Sequence, residues 1–383
     1  MYAIGLMSGT SLDGVDACLV EINELEKFSI VNFITLEYDD IFKSKLMRNL
    51  NKETARLDEI SSLNFELGHY FKKAIDKVLE STQLDYKDIE FVASHGQTIW
   101  HDPRGVVPST MQIGEASVIS YLTNIKTVSN FRVMDVAAGG EGAPLVPFSE
   151  YMLYVSDKED LVLLNIGGVS NFTYLPKCAK SSDVIAFDCG PGNIMMDYFT
   201  KKYFNQNYDK NGDIATSGKI IPELLEYLKQ DEFILGMPPK STGREKYSAS
   251  FMEEVIIKYN LEKANKADVV RTIAEVTVFG IVYNLGKFIP KFDKLIVSGG
   301  GAHNSYIMKR LKQELASEVI KSEISDSKEA LAFVVLGYQT LNCKPSNLIS
   351  VTHAKEEVIL GNITLSPRRK EDFNGSRFKK DRN

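Results

Sequence analysis

Short apolar stretches alternate with polar, glycine-containing turns along the first hundred residues. Two strand-like runs, 2–7 and 15–22, and a third with several β-branched and aromatic residues, 30–36, predict consecutive strands of a β-meander. Between residues 58 and 79, apolar side chains recur every three or four positions, which predicts an amphipathic helix. The apolar run 89–94 then predicts a buried strand. The first part of the chain is therefore predicted to be an α/β unit.

A similar order of elements is predicted again after residue 160. An apolar strand, a glycine turn at 167–168 and a second strand precede a strand that ends at Asp188, which a glycine-rich turn joins to a helix. A further strand, 295–298, leads through the glycines at 299–301 into another helix. Two halves that each begin with a meander predict a duplicated α/β architecture.

The length of the chain predicts two domains. At 383 residues it exceeds the size at which a single core usually keeps growing. A stretch rich in glycine and proline, 137–147, is a candidate hinge or crossing between domains. We therefore expect domains at 1–140 and 141–339, with 340–383 as a candidate completion of the first. The polar, basic segment from Ser366 is expected to be a solvated terminus.

Composition excludes several classes of function. A net charge of −6 argues against a broad interaction with nucleic acid or an anionic membrane, since both need a dominant basic surface. The four cysteines lack the paired spacing of a zinc motif or a disulfide framework, so we expect reduced thiols. Neither a leader peptide nor a run long enough to span a bilayer is recognised, which favours a cytoplasmic location.

The first turn, SGTSLDGVD at 8–16, is a candidate phosphate-binding element. It matches neither the Walker P-loop nor the dinucleotide fingerprint. Its glycines nevertheless allow backbone N–H groups to approach a ligand, and its hydroxyls add donors. Asp13 would repel a bare phosphate but fits a hydrated Mg²⁺; a plain hairpin turn is the alternative. Together with the turns at 167–168 and 299–301, this loop favours a nucleotide clamped between two domains of an actin-like ATPase.

Several polar residues are candidates for chemistry, each with a structural alternative. Asp188 suits a general base or the N-cap of the following helix. Gln97 and Thr98, in the polar segment 94–110 beyond a strand end, suit a polyhydroxylated ligand or ordinary loop polarity. Arg132 could bind a carboxylate through its planar fork or form an ion pair with Asp135.

Three further features are less specific. Glu329 near the start of a predicted helix usually complements the helix dipole. The segment PKSTGREKY, 239–247, has the composition of an anion-binding loop or of a solvated one. His95 and His101 have only Asp102 nearby as a third metal ligand, so a metal site is disfavoured.

Nine collinear blocks resemble one family, the 1,6-anhydro-N-acetylmuramic acid kinases. They are GLMSGTSLDGVD, ASHGQTIWHDP, MQIGEASVIS, AAGGEGAPLVPF, LNIGGVSNFTYL, FDCGPGNIMMD, PPKSTGREKY, SGGGAHN and EALAF. The resemblance implies an actin-like ATPase fold with two domains flanking an ATP cleft. It also implies a homodimer that acts in the cytoplasm, with ATP, on a sugar recycled from the cell wall.

The resemblance also assigns roles to residues. Asp188 falls at the catalytic aspartate, and Thr98, Arg132 and Glu329 fall at sugar-contacting positions. The implied nucleotide contacts are Gly9, Thr10, Ser11, Leu12, Asp13, Gly14, Val15 and Asp16 for the phosphates and Gly299, Gly300 and Gly301 for the adenosine, with Gly167 and Gly168 expected on the opposite side of the phosphates. Three positions depart from the family pattern: Cys189 replaces Thr, Asn130 replaces Asp, and Trp100 replaces Arg.

The implied reaction joins hydrolysis to phosphorylation. 1,6-Anhydro-N-acetylmuramate, ATP and water would give N-acetylmuramate 6-phosphate and ADP. A kinase for another anhydrosugar, such as levoglucosan, is the nearest alternative. An actin-like ATPase that serves as a chaperone or filament protein is the alternative from a different class.

Overall fold

The chain divides into two compact units. The computed structural model describes residues 1–9, 12–243 and 245–367. One unit comprises Met1–Leu153 and the segment that begins at Ser327, and the other comprises Tyr154–Asp326. The predicted contacts Thr10 and Ser11 lie outside the described residues, as does most of the terminus expected to be solvated.

The first segment forms the predicted meander, helix and buried strand. Its long helix, α2 (Leu57–Glu80), places Leu63, Leu67 and Phe71 on one buried face against the second and third strands, which explains the three- and four-residue spacing. The elements are β1 (Tyr2–Ser8), β2 (Gly14–Ile22), β3 (Phe28–Glu37), α1 (Asp40–Asn49), α2 (Leu57–Glu80), a 3₁₀ turn (Tyr86–Asp88), β4 (Ile89–Ser94), β5 (Gln97–Asp102), β6 (Ser109–Ile113), α3 (Ala116–Thr123), β7 (Thr127–Ser129), α4 (Val133–Ala137) and α5 (Val146–Tyr154).

The second unit repeats a meander and then alternates helices with strands. Its elements are β8 (Leu161–Ile166), β9 (Val169–Leu175), a 3₁₀ turn (Ser181–Asp183), β10 (Ile185–Pro191), α6 (Ile194–Phe204), a 3₁₀ turn (Lys210–Gly212), α7 (Asp213–Ser217), α8 (Pro222–Leu228), α9 (Glu232–Leu235), α10 (Ala249–Tyr259), α11 (Lys266–Phe288), β11 (Lys294–Ser298), a 3₁₀ turn (Gly300–His303), α12 (Ser305–Glu314) and β12 (Glu318–Lys321). Among the described residues, α11 alone is long and apolar enough to cross a membrane, but 72% of its apolar window is buried, as in a core helix.

The last segment returns to the first unit through α13 (Lys328–Leu341), α14 (Ile349–Thr352) and β13 (Asn362–Thr364). Helix α13 packs on β1 and β4 so closely that a Cβ on Gly5 would lie 1.9 Å from the carbonyl oxygen of Ala330. The helix therefore belongs to the first unit, and the predicted boundaries at 140 and 339 are corrected to 153 and 326. The candidate crossing at 137–147 lies within the first unit, because the boundary falls after Leu153.

The strand order confirms the duplication. In the first unit the order is β13-β7-β4-β1-β2-β3, and in the second it is β10-β9-β8-β11-β12. In both, an antiparallel meander is extended by two strands parallel to its first strand. Only the antiparallel edge strand β13 has no counterpart in the described part of the second sheet. The duplicated α/β architecture predicted from the sequence is therefore confirmed.

The polar segment 94–110 is more regular than expected. It forms most of a separate antiparallel hairpin, β5 and β6, in which Gln97 pairs with Ile113. Alternation explains the difference, because Ile99 is buried while Trp100 is exposed. Thr98 is thereby held on a strand and not on a loop.

Candidate functional site

The glycine turns of the second unit meet at the start of α6. The backbone N–H of Asn193 donates to the Gly167 carbonyl at 2.7 Å, and that of Gly192 donates to the Gly168 carbonyl at 2.9 Å. A Cβ on Gly192 would lie 2.3 Å from the Gly167 oxygen, so only glycine fits there. The turn between β8 and β9 is thus fixed to the first turn of α6.

The third glycine cluster lies against the same turn. Gly299 has φ +79°, and a Cβ on Gly301 would lie 2.2 Å from the side chain of Ile166. The Asn193 amide lies 3.4 Å from where a Cβ of Gly300 would be. Two of the three turns predicted to bind nucleotide therefore form one surface of exposed and half-exposed backbone in the second unit.

Asp188 lies beside this surface, at a bulge in β10. The register with β9 shifts after Asp188, and its own N–H donates to the carbonyl of Lys240 at 3.2 Å. Its Oδ2 accepts the N–H of Thr242 at 2.8 Å. The alternative N-cap role is wrong: α6 has Asn193 at its N-cap, and the Asp188 carboxylate is bound by a different loop.

The environment of Asp188 raises the pKa of its carboxyl group toward neutral pH. Burial raises the pKa of Asp188 to about 6, against opposing contributions from the Thr242 N–H, the Ser241 hydroxyl and the Lys240 charge. A carboxylate with such a pKa is mostly ionised at pH 7 yet able to accept a proton, as a general base requires.

Lys240 behind Asp188 has a structural function. Its ammonium group donates to the carbonyls of Phe233 and Ile234, both at 2.9 Å, and to Oδ1 of Asn284 at 2.8 Å. Burial lowers its pKa to about 8. The ammonium faces the interior, where it has three acceptors. Lys240 is therefore not the anion ligand that the composition of the segment PKSTGREKY suggested. Arg244, in the same segment, lies outside the described residues.

The opening turn belongs to the first unit. Leu12 is buried with φ +58°, and its N–H donates to the Gly9 carbonyl at 3.2 Å. A Cβ on Gly14 would lie 2.2 Å from the Leu36 carbonyl oxygen, so this glycine is required by the pairing of β2 with β3. The glycine at 14 is thus explained by strand packing, without a ligand.

The acidic residues of this turn have different surroundings. Asp13 is 68% exposed, and its Oδ1 accepts from the Lys43 ammonium at 3.0 Å. Asp16, on β2 next to the buried Val15, is half-buried and accepts from the Thr35 hydroxyl at 2.6 Å. Asp13 is therefore accessible to a cation, whereas Asp16 is held on the sheet.

Gln97 and Thr98 differ in accessibility. Gln97 is 1% exposed, and its Oε1 accepts from the Ser8 hydroxyl at 2.6 Å. Ser8 also shares a hydrogen bond of 2.6 Å with the Tyr38 hydroxyl. Thr98 is half-buried and accepts from the Gln112 amide at 3.4 Å. Gln97 thus already has a structural partner, and Thr98 is the more accessible of the two.

Arg132 carries a half-buried charge that no carboxylate neutralises at close range. Among the described residues, none places a carboxylate oxygen within 4 Å of its guanidinium. The alternative ion pair with Asp135 is wrong, because that carboxylate instead accepts from the N–H of Gly142 at 2.7 Å, the hydroxyl of Thr352 at 2.7 Å and the amide of Asn347 at 2.9 Å. Burial lowers the pKa of Arg132 to about 10, against the charges of Glu329 and Asp135.

Glu329 lies in the electrostatic neighbourhood of Arg132 and Asp16. Loss of hydration raises the pKa of Glu329, and the Asp16 carboxylate raises it further, while Lys328 and Arg132 oppose both effects. Lys328 itself pairs with Glu150. The first unit therefore places two carboxylates and one guanidinium within electrostatic range of each other.

The three residues that depart from the family pattern are each compatible with their local structure. Cys189 is buried at the bulge of β10, where its carbonyl accepts from Asn284 at 3.1 Å. Asn130 has φ +59°, which asparagine tolerates well. Trp100 is 43% exposed on β5. All four cysteines of the chain are free thiols.

Sequence reasoning missed the residues that hold these groups in place. Thr242 and Asn284 position Asp188 and Lys240, and the Gly142 carbonyl accepts from Arg132 at 2.7 Å. His95, considered only as a metal ligand, accepts from Arg132 at 3.0 Å. Within the described residues no group of three His, Cys, Asp or Glu side chains is arranged to hold a metal ion.

Comparison with known proteins identifies the family. The family model described as anhydro-N-acetylmuramic acid kinase matches residues 1–366. A protein of that name from Clostridioides difficile is 47% identical over 381 residues, covering 96% of this chain and 99% of its own length. Another from Bacillus cereus is 41% identical over 383 residues, covering 96% of this chain and all of its own.

A solved structure, the activator of the 2-hydroxyisocaproyl-CoA dehydratase from Clostridium difficile with bound ADPNP, is 15% identical, with a TM-score of 0.46 over 90% of this chain and 98% of that chain. Similarity at that level carries no functional argument. The family is shown instead by the match of residues 1–366 to the family model and by two relatives that are more than 40% identical to this chain. The chain therefore belongs to the anhydro-N-acetylmuramic acid kinase family, and its enzymatic class is that of a kinase with a duplicated α/β fold.

Proposed function

We propose that this kinase hydrolyses the internal acetal of 1,6-anhydro-N-acetylmuramic acid and phosphorylates the released 6-oxygen with ATP. The products are N-acetylmuramate 6-phosphate and ADP. Membership in the family supports the sugar and ATP as substrates. The structural observation that carries the proposal is the half-buried Asp188 carboxylate, with a pKa of about 6 and Oδ2 bound to the Thr242 N–H at 2.8 Å.

Asp188 is the general base in this proposal. It removes a proton from water as the water oxygen attacks the anomeric carbon, and the bond between that carbon and the 6-oxygen breaks. The 6-oxygen then attacks the γ-phosphorus of ATP, and ADP leaves. A positioned base typically contributes on the order of a hundred- to ten-thousandfold in rate.

The phosphate contacts follow from the glycine turns. We assign the turns at 9–16 and 167–168 to the ATP phosphates and the turn at 299–301 to the adenosine. Asp13 is accessible, and its Oδ2 is free of partners among the described residues, so it fits a hydrated Mg²⁺. When bound, Mg²⁺ supplies charge neutralisation at the transferring phosphoryl group.

The sugar contacts are assigned to the first unit. Arg132 binds the lactyl carboxylate, because its charge is uncompensated at close range and three of its five N–H groups remain available. Thr98 and Glu329 are proposed contacts of the sugar hydroxyls, with Gln97 supporting the strand that carries Thr98. The remaining parts of the proposal, peptidoglycan recycling in the cytoplasm by a homodimer, follow from the resemblance in the sequence.

Oxygen-18 water tests the reaction. The purified protein is incubated with the anhydrosugar and Mg-ATP, and the products are analysed by mass spectrometry. We expect the label on the anomeric oxygen of the phosphorylated sugar and none in the transferred phosphate. Labelled free phosphate without a sugar product would instead establish an ATPase. Equal turnover of levoglucosan would establish a kinase for another anhydrosugar.

A further inference from the structure

The hydrogen bonds around Arg132 fix its orientation through His95. Arg132 Nε donates to His95 Nε2 at 3.0 Å, and Nη1 donates to the Gly142 carbonyl at 2.7 Å. His95 is 4% exposed, and its ring packs on Phe333 with a centroid distance of 4.7 Å. The imidazole is therefore held by packing on one side and holds the guanidinium on the other.

The partners of His95 determine its protonation state. Its Nδ1 lies 2.9 Å from the Gly96 carbonyl oxygen. A carbonyl oxygen only accepts and a guanidinium N–H only donates, so Nδ1 must carry the proton and Nε2 must accept. Burial lowers the pKa of His95 to about 3, and the Arg132 charge lowers it in the same direction. The ring is neutral, in the Nδ1–H tautomer, at physiological pH.

This arrangement orients the guanidinium without neutralising it. His95 and the Gly142 carbonyl are uncharged acceptors, and the Asp135 carboxylate accepts from other groups. Among the described residues, none accepts a hydrogen bond from Nη2 of Arg132. The Nε edge is occupied, and the guanidinium retains its full charge and its Nη2 donors for an anion.

We propose that His95 is a positioning residue for anion recognition: it fixes Arg132 so that the Nη2 end of the guanidinium binds the carboxylate of the sugar substrate. The inference rests on the proposed function for the identity of the anion. A carboxylate-bearing sugar is favoured because the site offers an oriented guanidinium that no carboxylate of the described residues contacts within 4 Å, and a neutral anhydrosugar would not use its charge. Specificity for the acidic sugar would therefore depend on a residue that does not touch it.

Two variants of His95 separate positioning from packing. His95→Gln keeps an acceptor near the position of Nε2, whereas His95→Phe keeps an aromatic ring on Phe333 but removes the acceptor. Because hydrogen bonds to charged groups are among the stronger ones, we expect His95→Phe to raise KM for 1,6-anhydro-N-acetylmuramate roughly tenfold or more. The kcat should stay within about twofold, and His95→Gln should restore KM to within about threefold of the wild type.

An analogue without the lactyl group, 1,6-anhydro-N-acetylglucosamine, provides the matched substrate. His95→Phe should leave kcat/KM for the analogue unchanged, and Arg132→Ala should raise KM for 1,6-anhydro-N-acetylmuramate at least as much as His95→Phe does. Equal losses on both sugars would overturn the positioning role. Absence of a sugar phosphate from the wild type would refute the proposed function instead, so the two failures are distinguishable.

A spectroscopic readout tests His95 independently of turnover. Long-range ¹H–¹⁵N spectra of the ¹⁵N-histidine-labelled full chain should show one ring in the neutral Nδ1–H form between pH 5 and 8. The His95→Gln spectrum assigns that signal by its loss. An Nε2–H tautomer or a protonated ring at pH 7 would overturn the inference, even if the phenylalanine variant fails to fold.

Discussion

Replacement of Asp188 by asparagine should remove the proposed general base and stabilise the second unit. Asparagine has nearly the same shape, and its Oδ1 can still accept the Thr242 N–H that the carboxylate accepts at 2.8 Å. The variant should therefore fold and bind ATP, but it has no group that can take the proton from water. We expect turnover to fall by at least a hundredfold.

The stability gain follows from the pKa of Asp188, which burial raises from 3.8 to about 6. At 1.36 kcal/mol per pKa unit, ionisation costs the folded state up to about 3 kcal/mol above pH 6. Partial exposure of Asp188 reduces this figure, so we expect a gain of about 1–2 kcal/mol and roughly 3–6 °C in the melting temperature. The raised pKa means that the favourable contribution of the protonated carboxyl is full below pH 3.8 and is lost as pH rises through 6.

Thermal unfolding of the wild type and Asp188→Asn at pH 4.5 and 7.5 measures the effect, with the exposed Asp157 of the same unit changed to asparagine as a control. The melting-temperature difference for Asp188 should be small at pH 4.5 and large at pH 7.5, whereas the control should show no such trend. A difference that is absent at pH 7.5, or larger at pH 4.5, would refute the reasoning. Near-normal turnover of the variant would remove Asp188 from the proposed mechanism.

Three further sets of variants test separate parts of the site. Lys240→Met should lower the free energy of unfolding in urea by about 2 kcal/mol or more, because three buried acceptors lose their donor. It should also move the acidic limb of the pH–rate profile to higher pH, because the Lys240 charge lowers the pKa of Asp188. The control variant Lys287→Met, at an exposed lysine, should change neither quantity. Gly301→Ala should cost about 1–3 kcal/mol, since its Cβ would lie 2.2 Å from the Ile166 side chain, whereas Gly168→Ala has 3.9 Å of space and should raise KM for ATP without loss of stability. Lys43→Ala should cost less than about 1 kcal/mol and lower the Mg²⁺ concentration for half-maximal activity by freeing Asp13.

Periodicity was sufficient to predict most of the fold. The run predicted at 89–94 is β4 itself, and the helix predicted at 58–79 spans Leu57–Glu80, because both patterns report directly which side chains are buried. The domain boundaries were harder, since helix α13 is buried around most of its circumference, and its apolar sequence does not reveal the sheet it packs on. That assignment required the contact between Ala330 and Gly5.

The sequence predicted which residue types belong to the candidate site, but it did not predict which groups those residues contact. A glycine in a turn looks the same in sequence whether it admits a ligand or another strand, and only the structure shows that Gly14 is required by the Leu36 carbonyl. Similarly, Lys240 appears in a segment with the composition of an anion-binding loop, but its ammonium donates to the interior. Contacts between residues far apart in the sequence determine whether such a residue is available to a ligand, and the local sequence pattern does not reveal those contacts.

The three half-buried charges, Lys240, Asp188 and Arg132, differ in how many of their hydrogen-bonding groups already have a partner. Lys240 has three oxygen acceptors for its three donors, so it has no capacity left for a ligand. Asp188 and Arg132 are instead held by uncharged groups, and each retains hydrogen-bonding capacity. Burying a charge without a paired countercharge costs folding free energy. The fold bears that cost at the two positions where the proposed reaction needs a proton acceptor and an anion receptor. At Lys240, in contrast, every ammonium donor has an acceptor. The His95 variants are therefore the most direct test of whether a neutral partner that orients Arg132 contributes to recognition of the substrate.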